Sequence, residues 1–553
     1  MAASHILIVI IAAIALTIFA EKRGIQAPLL LAAVGLAASF IPGLPRVQLE
    51  PEVILGLVLP PLLYSAAVDF SFFSFIKRIG SILNLGVGLV VVTTIAAGLV
   101  LGWALPALSL PAAFILGAVV APPDAVSAVS IGRKLGLPNR LMTILKGESL
   151  INDAAALTLF SVAVAAATGR HNVIDNVTLY FLYAAGVGTA IGIALGLTVH
   201  AIRRRLANPT LITALAIVVP FTAYALAEEL HASGVMAVVF AGFSLGHNAT
   251  DLTFAGRIQE REVWRVVDQL LEAFVFAYMG LQLPFVIEDA RASGFDLTKL
   301  AIAAGLVLAA VMAVRIVWVM LTAVLARRRY RRRSARRAGA EKARGMRRSL
   351  AEPLSWRENL VLSWTGMRGV VTLAAAAGTP LLTAAGQPLA GREAILPVAF
   401  TVAIATLLLQ GLTLPWLIRK LDIGDEREAD YVRAQMAHAR KVIDAATVEV
   451  LADLREQDNP EVDIRVATQM LRRARRAAEA HDDDLPDGSL ARMAERRDKV
   501  LSMARAVLAG QRQALIAERD AERLDDEILR EVLEDIDLEQ AVIARRSERS
   551  AER

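Results

Sequence analysis

The stretch LMTILKGESLINDAAALTLFSVAVAAA (141–167) is an apolar run that carries two carboxylates, Glu148 and Asp153, beside Ser149 and Asn152. On a helix these four positions share one face about two turns long. An ionisable side chain at the centre of a membrane helix costs about 2.5–3.5 kcal/mol, so each needs a partner, water or a function. Asn152 alone is also compatible with an ordinary interhelical hydrogen bond. Asp153 is predicted to be a functional carboxylate within the membrane.

The preceding apolar run, LPAAFILGAVVAPPDAVSAVSIGRKL (110–135), contains Pro122, Pro123 and Asp124 near its middle. Two prolines in succession must break or kink a helix. Backbone groups exposed at a break are tolerated in a membrane where they line a cavity, which is typical of transporter ion sites. Asp124 is predicted to cap the second half-helix or to bind an ion, and these two roles are compatible.

Two arginines interrupt later apolar runs, Arg315 in VLAAVMAVRIVWVMLTAVL and Arg368 in VLSWTGMRGVVTLAAAAGTP. Arginine stays charged, so each is expected to find an anion, and Glu148 is the candidate for one of them. The later run also contains Gly366, Gly369, Gly378 and Pro380, which permit either a second helix break or a close approach between helices. An interrupted helix beside a charged one at both ends of the region is the pattern expected of inverted repeats.

The whole chain has the composition of a membrane protein. Its 553 residues are 56% hydrophobic, with a mean hydropathy of +0.51. Thirteen runs have lengths near the roughly 20 residues that a bilayer requires, and because some are short or contain polar residues, counts of twelve and fourteen stay open. The thirteen runs lie at 4–20, 25–42, 53–70, 79–103, 110–132, 141–167, 176–201, 209–227, 232–247, 269–287, 298–325, 358–384 and 394–418. An all-α polytopic domain is predicted over 1–424.

Residues 425–553 are densely charged and are predicted to form a soluble helical tail. Apolar residues recur at helical spacing in LDDEILREVLEDIDLEQAVI (524–543), and EAHDDDLPDG (479–488) is predicted to separate two helical parts. Nothing in the tail resembles a ligand signature. A regulatory role and a packing or dimerisation role both remain open.

Lysine and arginine alternate between connectors as the positive-inside rule requires. With thirteen spans and an outside N-terminus, the connectors predicted to face the cytoplasm carry the larger basic groups, including Arg203 to Arg205 and the stretch 327–348. The tail is then cytoplasmic and the protein lies in the inner membrane. The basic stretch contacts lipid headgroups or is a stop-transfer cluster. The net charge of +5 therefore reports topology, and a nucleic-acid partner is not expected.

Other functional classes are poorly matched by the sequence. The chain has no cysteine, which excludes disulfides, thiolate nucleophiles and cysteine metal sites. It shows no histidine-rich metal cluster, nucleophile elbow or phosphate loop, so an enzyme is not expected and no cofactor is predicted.

These motifs resemble those of the monovalent cation:proton antiporter-1 family, which includes the NhaP and NHE sodium/proton exchangers. GESLIND (147–153), PPDAV (122–126), Arg315 and GMRGVVTLA (366–374) carry the resemblance, which covers about 1–424. It implies thirteen helices, a dimerisation domain beside a moving core, two broken helices that cross at the ion site, and a homodimer.

The resemblance also implies roles for individual residues. Asp153 matches the aspartate that binds ion and proton, with Asn152 beside it, Ser149 as a helper ligand and Asp124 on the broken helix. Glu148 and Arg315 match a structural ion pair, and Arg368 a further core arginine.

Two positions depart from the family pattern. Pro123 stands where relatives often have a threonine that helps to bind the ion, and Ser65 stands where many have a carboxylate. Asp69, one turn after Ser65, either substitutes for that carboxylate or faces water at a helix end.

The predicted activity is exchange of Na⁺, K⁺ or Li⁺ for protons, with one carboxylate binding either ion in turn. Because Glu148 and Arg315 cancel and Asn152 is neutral, one-for-one electroneutral exchange is favoured. Hard oxygen ligands suit all three cations. A proton-coupled symporter and a cation channel regulated by the tail are the alternatives.

Overall fold

A computed structural model describes residues 2–41, 53–106, 108–169, 174, 176–206, 208–292, 296–344, 353–423, 426–458, 490–521 and 523–551. Every element longer than an isolated bridge between Leu382 and Pro388 is helical in these ranges. The prediction of an all-α protein is confirmed. The predicted tail break at 479–488 lies outside the described residues.

Within the described residues, the first half of the membrane region contains eleven α-helices. They are α1 (Ala2–Arg23), α2 (Ala27–Ala38), α3 (Leu59–Val68), α4 (Phe72–Leu83), α5 (Val90–Ala104), α6 (Leu110–Val120), α7 (Ala125–Lys134), α8 (Asn139–Thr168), α9 (Val177–Arg203), α10 (Pro209–Glu229) and α11 (Gly234–His247). Short π-helical segments, Ile54–Val58 and Asn84–Leu89, precede α3 and α5.

The second half of the chain continues in the same manner. It contains α12 (Phe254–Leu281), α13 (Leu283–Ala292), α14 (Leu297–Arg344), α15 (Trp356–Trp364), α16 (Val370–Ala377) and α17 (Arg392–Leu421). The tail contains α18 (Glu426–Asp458), α19 (Leu490–Asp520) and α20 (Asp526–Ala551).

Seven helices in the described residues are long and apolar enough to cross a membrane. They span Phe72–Ala104, Asn139–Thr168, Val177–Arg203, Pro209–Glu229, Phe254–Glu288, Leu297–Arg332 and Arg392–Leu421. Four shorter apolar helices accompany them, at Ala27–Ala38, Ile54–Val68, Leu110–Val120 and Gly234–His247. The chain is therefore a multi-pass membrane protein.

Small residues allow helices α9 and α11 to pack backbone against backbone. A Cβ atom at Gly192 would lie 2.3 Å from the carbonyl oxygen of Ala237, closer than real contacts allow. Gly188 and Gly196 repeat the same close approach one turn to either side. Such small-residue stripes are how membrane helices gain contact where no hydrophobic effect drives association.

Two compact units divide the chain. Residues 1–251 and 260–424 form the first, and residues 252–259 and 425–553 form the second. The second unit has a core of its own, built on α18, α19 and α20 from apolar residues that include Ala439, Leu515 and Leu529. Within this unit Asp537, 1% exposed, accepts hydrogen bonds from Arg257 and Arg512.

Candidate functional site

Two helix interruptions meet inside the first unit. Helix α6 ends at Val120 and α7 begins at Ala125, while α15 ends at Trp364 and α16 begins at Val370. Both interruptions were predicted from the proline and glycine patterns. The backbone N–H of Asp124 in the first donates to the carbonyl oxygen of Met367 in the second, at 2.6 Å. Backbone groups that the two helix breaks leave without helical partners therefore form a hydrogen bond with each other at this point.

Asp124 is the N-cap of α7. Its Oδ1 accepts from the backbone N–H of Val126 at 2.9 Å, and its own backbone is extended. The capping role predicted from the sequence is thus present. The side chain is half-buried, and capping leaves its second oxygen, Oδ2, for another partner.

Helix α8 presents its polar face to the first interruption. The Asn152 side-chain amide donates to the carbonyl oxygen of Pro123 at 2.7 Å. Its Oδ1 is buried and accepts no hydrogen bond from the described residues. A buried carbonyl oxygen without a donor is costly, so its position favours a cation as partner.

Asp153 follows Asn152 and is 8% exposed. Its carboxylate has no hydrogen-bond partner in the described part of the chain, and Asp124 lies close enough to interact with its charge. Ser149, one turn earlier on the same helix, is half-buried. The structure therefore brings Asp153, Asn152 and Asp124 together, with Ser149 on the adjoining turn.

Glu148 and Arg315 form the ion pair that the resemblance implied. Both guanidinium Nη atoms donate to the carboxylate, at 2.5 and 3.0 Å, and each side chain is 2% exposed. Arg315 also donates to the carbonyl oxygen of Leu362, the third residue from the end of α15. The pair therefore joins α8, α14 and the helix that precedes the second interruption.

Arg368 donates its side-chain hydrogen bonds to backbone carbonyl oxygens. Its Nε donates to the carbonyl oxygen of Val120 at 3.0 Å, and Nη1 donates to that of Gly366. Val120 is the last residue of α6, where carbonyls lack intrahelical partners and carry partial negative charge. Helix-end carbonyl oxygens therefore accept the hydrogen bonds of this guanidinium, and the charge of Glu148 also acts on it.

Gly369 is required by the closeness of the two interruptions. A Cβ atom at this position would lie 2.5 Å from Oδ2 of Asp124. The backbone of the second interruption thus lies directly against the Asp124 carboxylate.

Two further polar contacts were not singled out from the sequence. Ser65 on α3 donates a hydrogen bond to Oδ2 of Asp268 on α12, so the position that departs from the family pattern has a carboxylate partner. Arg140 at the start of α8 donates to both oxygens of Glu358, at 2.7 and 3.1 Å, where Glu358 also closes a capping box with Ser355. The sequence does not indicate these two contacts, because each joins residues that lie more than 200 positions apart in the chain.

A cavity of about 200 Å³ lies near the site. Leu157, one turn after Asp153 on α8, lines it together with Tyr180, Tyr224 and Glu228. Asp153 itself does not line this cavity, so an apolar turn of α8 separates the two.

The groups at the junction are all oxygens, from the carboxylates of Asp153 and Asp124, the amide of Asn152 and the hydroxyl of Ser149. Oxygen ligands suit hard cations. A carboxylate withdrawn from water must be compensated either by a bound cation or by a proton. One group that accepts either is the chemical basis of exchange.

Comparison with known proteins identifies sodium/hydrogen exchangers as relatives of this chain. The family model for "Sodium/hydrogen exchanger, transmembrane" matches residues 7–420. An uncharacterised Na⁺/H⁺ exchanger of Mycobacterium tuberculosis is 30% identical over 546 residues, covering 97% of this chain and 95% of the relative.

A sodium, potassium, lithium and rubidium/H⁺ antiporter of Bacillus pumilus is 29% identical over 453 residues, covering 80% of this chain and 64% of the relative. Among solved structures, the sodium proton antiporter MjNhaP1 of Methanocaldococcus jannaschii at pH 8 has a TM-score of 0.58 at 18% identity. That match covers 77% of this chain and 99% of MjNhaP1, and it shows a shared fold.

Proposed function

Because the chain belongs to the transmembrane sodium/hydrogen exchanger family, we propose that it exchanges monovalent cations for protons at Asp153. It is a secondary transporter and not an enzyme. The observation that carries the assignment to Asp153 is a buried carboxylate without a hydrogen-bond partner in the described residues, placed where two interrupted helices meet.

In the proposed cycle Asp153 binds a cation on one side of the membrane and a proton on the other. The cation also contacts Oδ1 of Asn152 and the carboxylate of Asp124, with Ser149 as a further ligand and the backbone around Pro123 closing the site. Burial makes the empty, charged carboxylate unfavourable. The site therefore changes sides only when occupied, which couples the two ions.

One-for-one exchange follows if Asp153 alone changes occupancy. Glu148 and Arg315 neutralise each other through two hydrogen bonds, and Asn152 carries no charge. Each proton that enters then releases one monovalent cation, and no net charge moves. The proposed substrates are Na⁺, K⁺ and Li⁺, since the donor set contains only hard oxygens and the Bacillus pumilus relative is named for all three.

The proposed membrane arrangement has thirteen spans built as inverted repeats, with α6–α7 and α15–α16 as the broken crossing helices. The distribution of lysine and arginine supports an outside N-terminus and a cytoplasmic tail in the cell membrane. The resemblance to the family supports a homodimer in contact with lipid. Residues 425–553 are proposed as a separate regulatory or packing module, which agrees with their independent core.

The test is cation-dependent collapse of a pH gradient in proteoliposomes, compared for Na⁺, K⁺ and Li⁺. The wild type should collapse the gradient with at least one cation. Because the proposed exchange moves no net charge, clamping the membrane potential with valinomycin and K⁺ should not change the rate. Asp153→Asn should do no better than empty liposomes, whereas Glu262→Gln, an exposed carboxylate on α12, should match the wild type. Full activity in Asp153→Asn refutes the site, and cation current without proton movement indicates a channel.

A further inference from the structure

Helix α17 carries a buried hydroxyl group at the second helix interruption. Thr406 is 0% exposed and lies in the apolar stretch VAIATLLLQ (402–410) of the span Arg392–Leu421. Its Oγ1 accepts a hydrogen bond from the backbone N–H of Arg368 at 3.0 Å. The exchange cycle above does not use this threonine.

The interruption creates the need for such an acceptor. Helix α15 ends at Trp364 and α16 begins at Val370, so the backbone N–H of Arg368 belongs to neither helical hydrogen-bond ladder. A buried N–H without an acceptor is costly. In broken membrane helices, serine and threonine side chains of neighbouring helices can supply the missing partner. Thr406 supplies it from α17.

The hydroxyl group of Thr406 is oriented by its own helix. Its Oγ1 donates to the carbonyl oxygens of the preceding turn, at 2.9 Å to Val402 and 3.0 Å to Ala403. A hydroxyl has one hydrogen and two lone pairs. Because the hydrogen is engaged within α17, a lone pair is left for the N–H of Arg368. Thr406 is therefore a fixed acceptor.

The segment that Thr406 holds contacts Asp124 on both sides of Arg368. The carbonyl oxygen of Met367 accepts from the backbone N–H of Asp124 at 2.6 Å. On the other side, a Cβ atom at Gly369 would lie 2.5 Å from Oδ2 of Asp124. The outer two of three consecutive residues thus lie against Asp124, and the middle one is anchored on α17. A shift of this segment necessarily changes the surroundings of the Asp124 carboxylate.

We propose that Thr406 is a positioning residue for cation binding. By accepting the hydrogen bond of Arg368, it holds Met367 and Gly369 against Asp124 and so fixes where the Asp124 carboxylate meets the cation. Thr406 itself neither contacts the cation nor exchanges the proton. This inference rests on the proposed function, because Asp124 is a cation ligand only in that cycle.

A second threonine on α17 provides a matched comparison. Thr413 accepts from Nε1 of Trp364 at 2.9 Å and donates to the carbonyl oxygen of Leu409 at 2.6 Å. The hydrogen bonds are of the same kind and come from the same helix. Their partner, however, is the side chain of the last residue of α15, and not the segment beside Asp124. Loss of the Thr413 hydroxyl should therefore leave cation binding unchanged.

The exchange assay in proteoliposomes tests this role. Thr406→Val nearly preserves the shape of the side chain and removes the acceptor, so the half-saturating cation concentration should rise about tenfold, with a change of less than about threefold in the maximal rate. Thr406→Ser keeps the hydroxyl and should stay within about twofold of the wild type, as should Thr413→Val. A purely structural role would lower the amount of folded protein, and with it the maximal rate, without changing the half-saturating concentration.

A second pair of variants applies if Thr406→Val does not fold. Thr406→Ala and Thr406→Ser both lack the methyl group and differ only in the hydroxyl, so the half-saturating concentration should rise in Thr406→Ala alone.

The possible failures are distinguishable. If removal of the Thr406 hydroxyl leaves the half-saturating concentration at the wild-type value, or if Thr406→Ser or Thr413→Val raises it as much, the positioning role is overturned while exchange at Asp153 stands. If the wild type shows no cation-dependent proton movement, the proposed function is overturned together with this inference.

Discussion

Glu148→Gln should be among the most destabilising single substitutions that leave the shape of the site intact. The change removes the charge that compensates Arg315, whose side chain is 2% exposed. Two charge-assisted hydrogen bonds are weakened, and each is worth about 1.5–3 kcal/mol. Breaking a buried pair by removing one partner costs about 3–5 kcal/mol, because the other charge is left uncompensated. We therefore expect a loss of about 3–5 kcal/mol in the free energy of unfolding.

Reversible unfolding in mixed detergent and SDS micelles measures this loss, and Trp318 reports on it. Trp318 lies one turn after Arg315 on α14, and its Nε1 donates to the carbonyl oxygen of Asn84. Adding Arg315→Met to Glu148→Gln should recover part of the stability, because the Arg315 charge is then no longer buried without its partner. A loss below about 1 kcal/mol in Glu148→Gln, the level expected for exposed pairs, would refute the reasoning.

Three further expectations concern other parts of the molecule. Asn152→Ala removes the amide that ties α8 to the first interruption, so the half-saturating cation concentration in the exchange assay should rise about tenfold. Gly369→Ala places a Cβ atom 2.5 Å from Oδ2 of Asp124, so maximal exchange should fall at least tenfold while the protein still folds. In the tail, hydrogen bonding to Arg523 lowers the pKa of Glu518 to about 2 from 4.5, so its stabilising contribution is complete above pH 4.5 and is lost as the pH falls through 2. Hydrogen exchange around α19 should show that pH dependence in the wild type and not in Glu518→Gln.

Gly369→Ala has a matched control, and Glu518→Gln has an outcome that would contradict its prediction. Gly305→Ala on α14 introduces a methyl group into open space and should leave exchange unchanged. If Gly305→Ala impairs transport as much as Gly369→Ala, the close approach to Asp124 is not the cause. For the tail, unchanged pH dependence in Glu518→Gln would assign the effect to another group.

Sequence-based prediction was most accurate where a proline or a charged residue interrupts an apolar run. Two prolines in an apolar run and carboxylates beside alanines predicted the first interruption and the polar face of α8. The helix ends found at Val120 and Ala125 agree with that prediction. Such conflicts are local, since the free-energy cost of a polar group in lipid does not depend on knowing its neighbour.

What escaped prediction depends on which helices pack together. The sequence predicts that Arg368 finds an anion, but it does not indicate that the Arg368 side chain donates a hydrogen bond to the carbonyl oxygen of Val120, at the end of another helix. Asp268 was not singled out, and its partner Ser65 is 203 positions away. The sequence leaves open whether Asp69 substitutes for the carboxylate that relatives have at the position of Ser65, and it gives no sign that Ser65 bonds to Asp268. Local spacing holds no information on such pairs.

The claim that one carboxylate binds cation and proton in turn is tested most directly by proton release from the purified protein. Na⁺, K⁺ or Li⁺ is added to the protein in weakly buffered detergent solution, with choline chloride as the blank, and the pH change is recorded. The wild type should release roughly one proton per chain at saturating cation, since metal binding displaces protons from its ligands. Asp153→Asn should release none. Equal release from Asp153→Asn and the wild type would contradict the account.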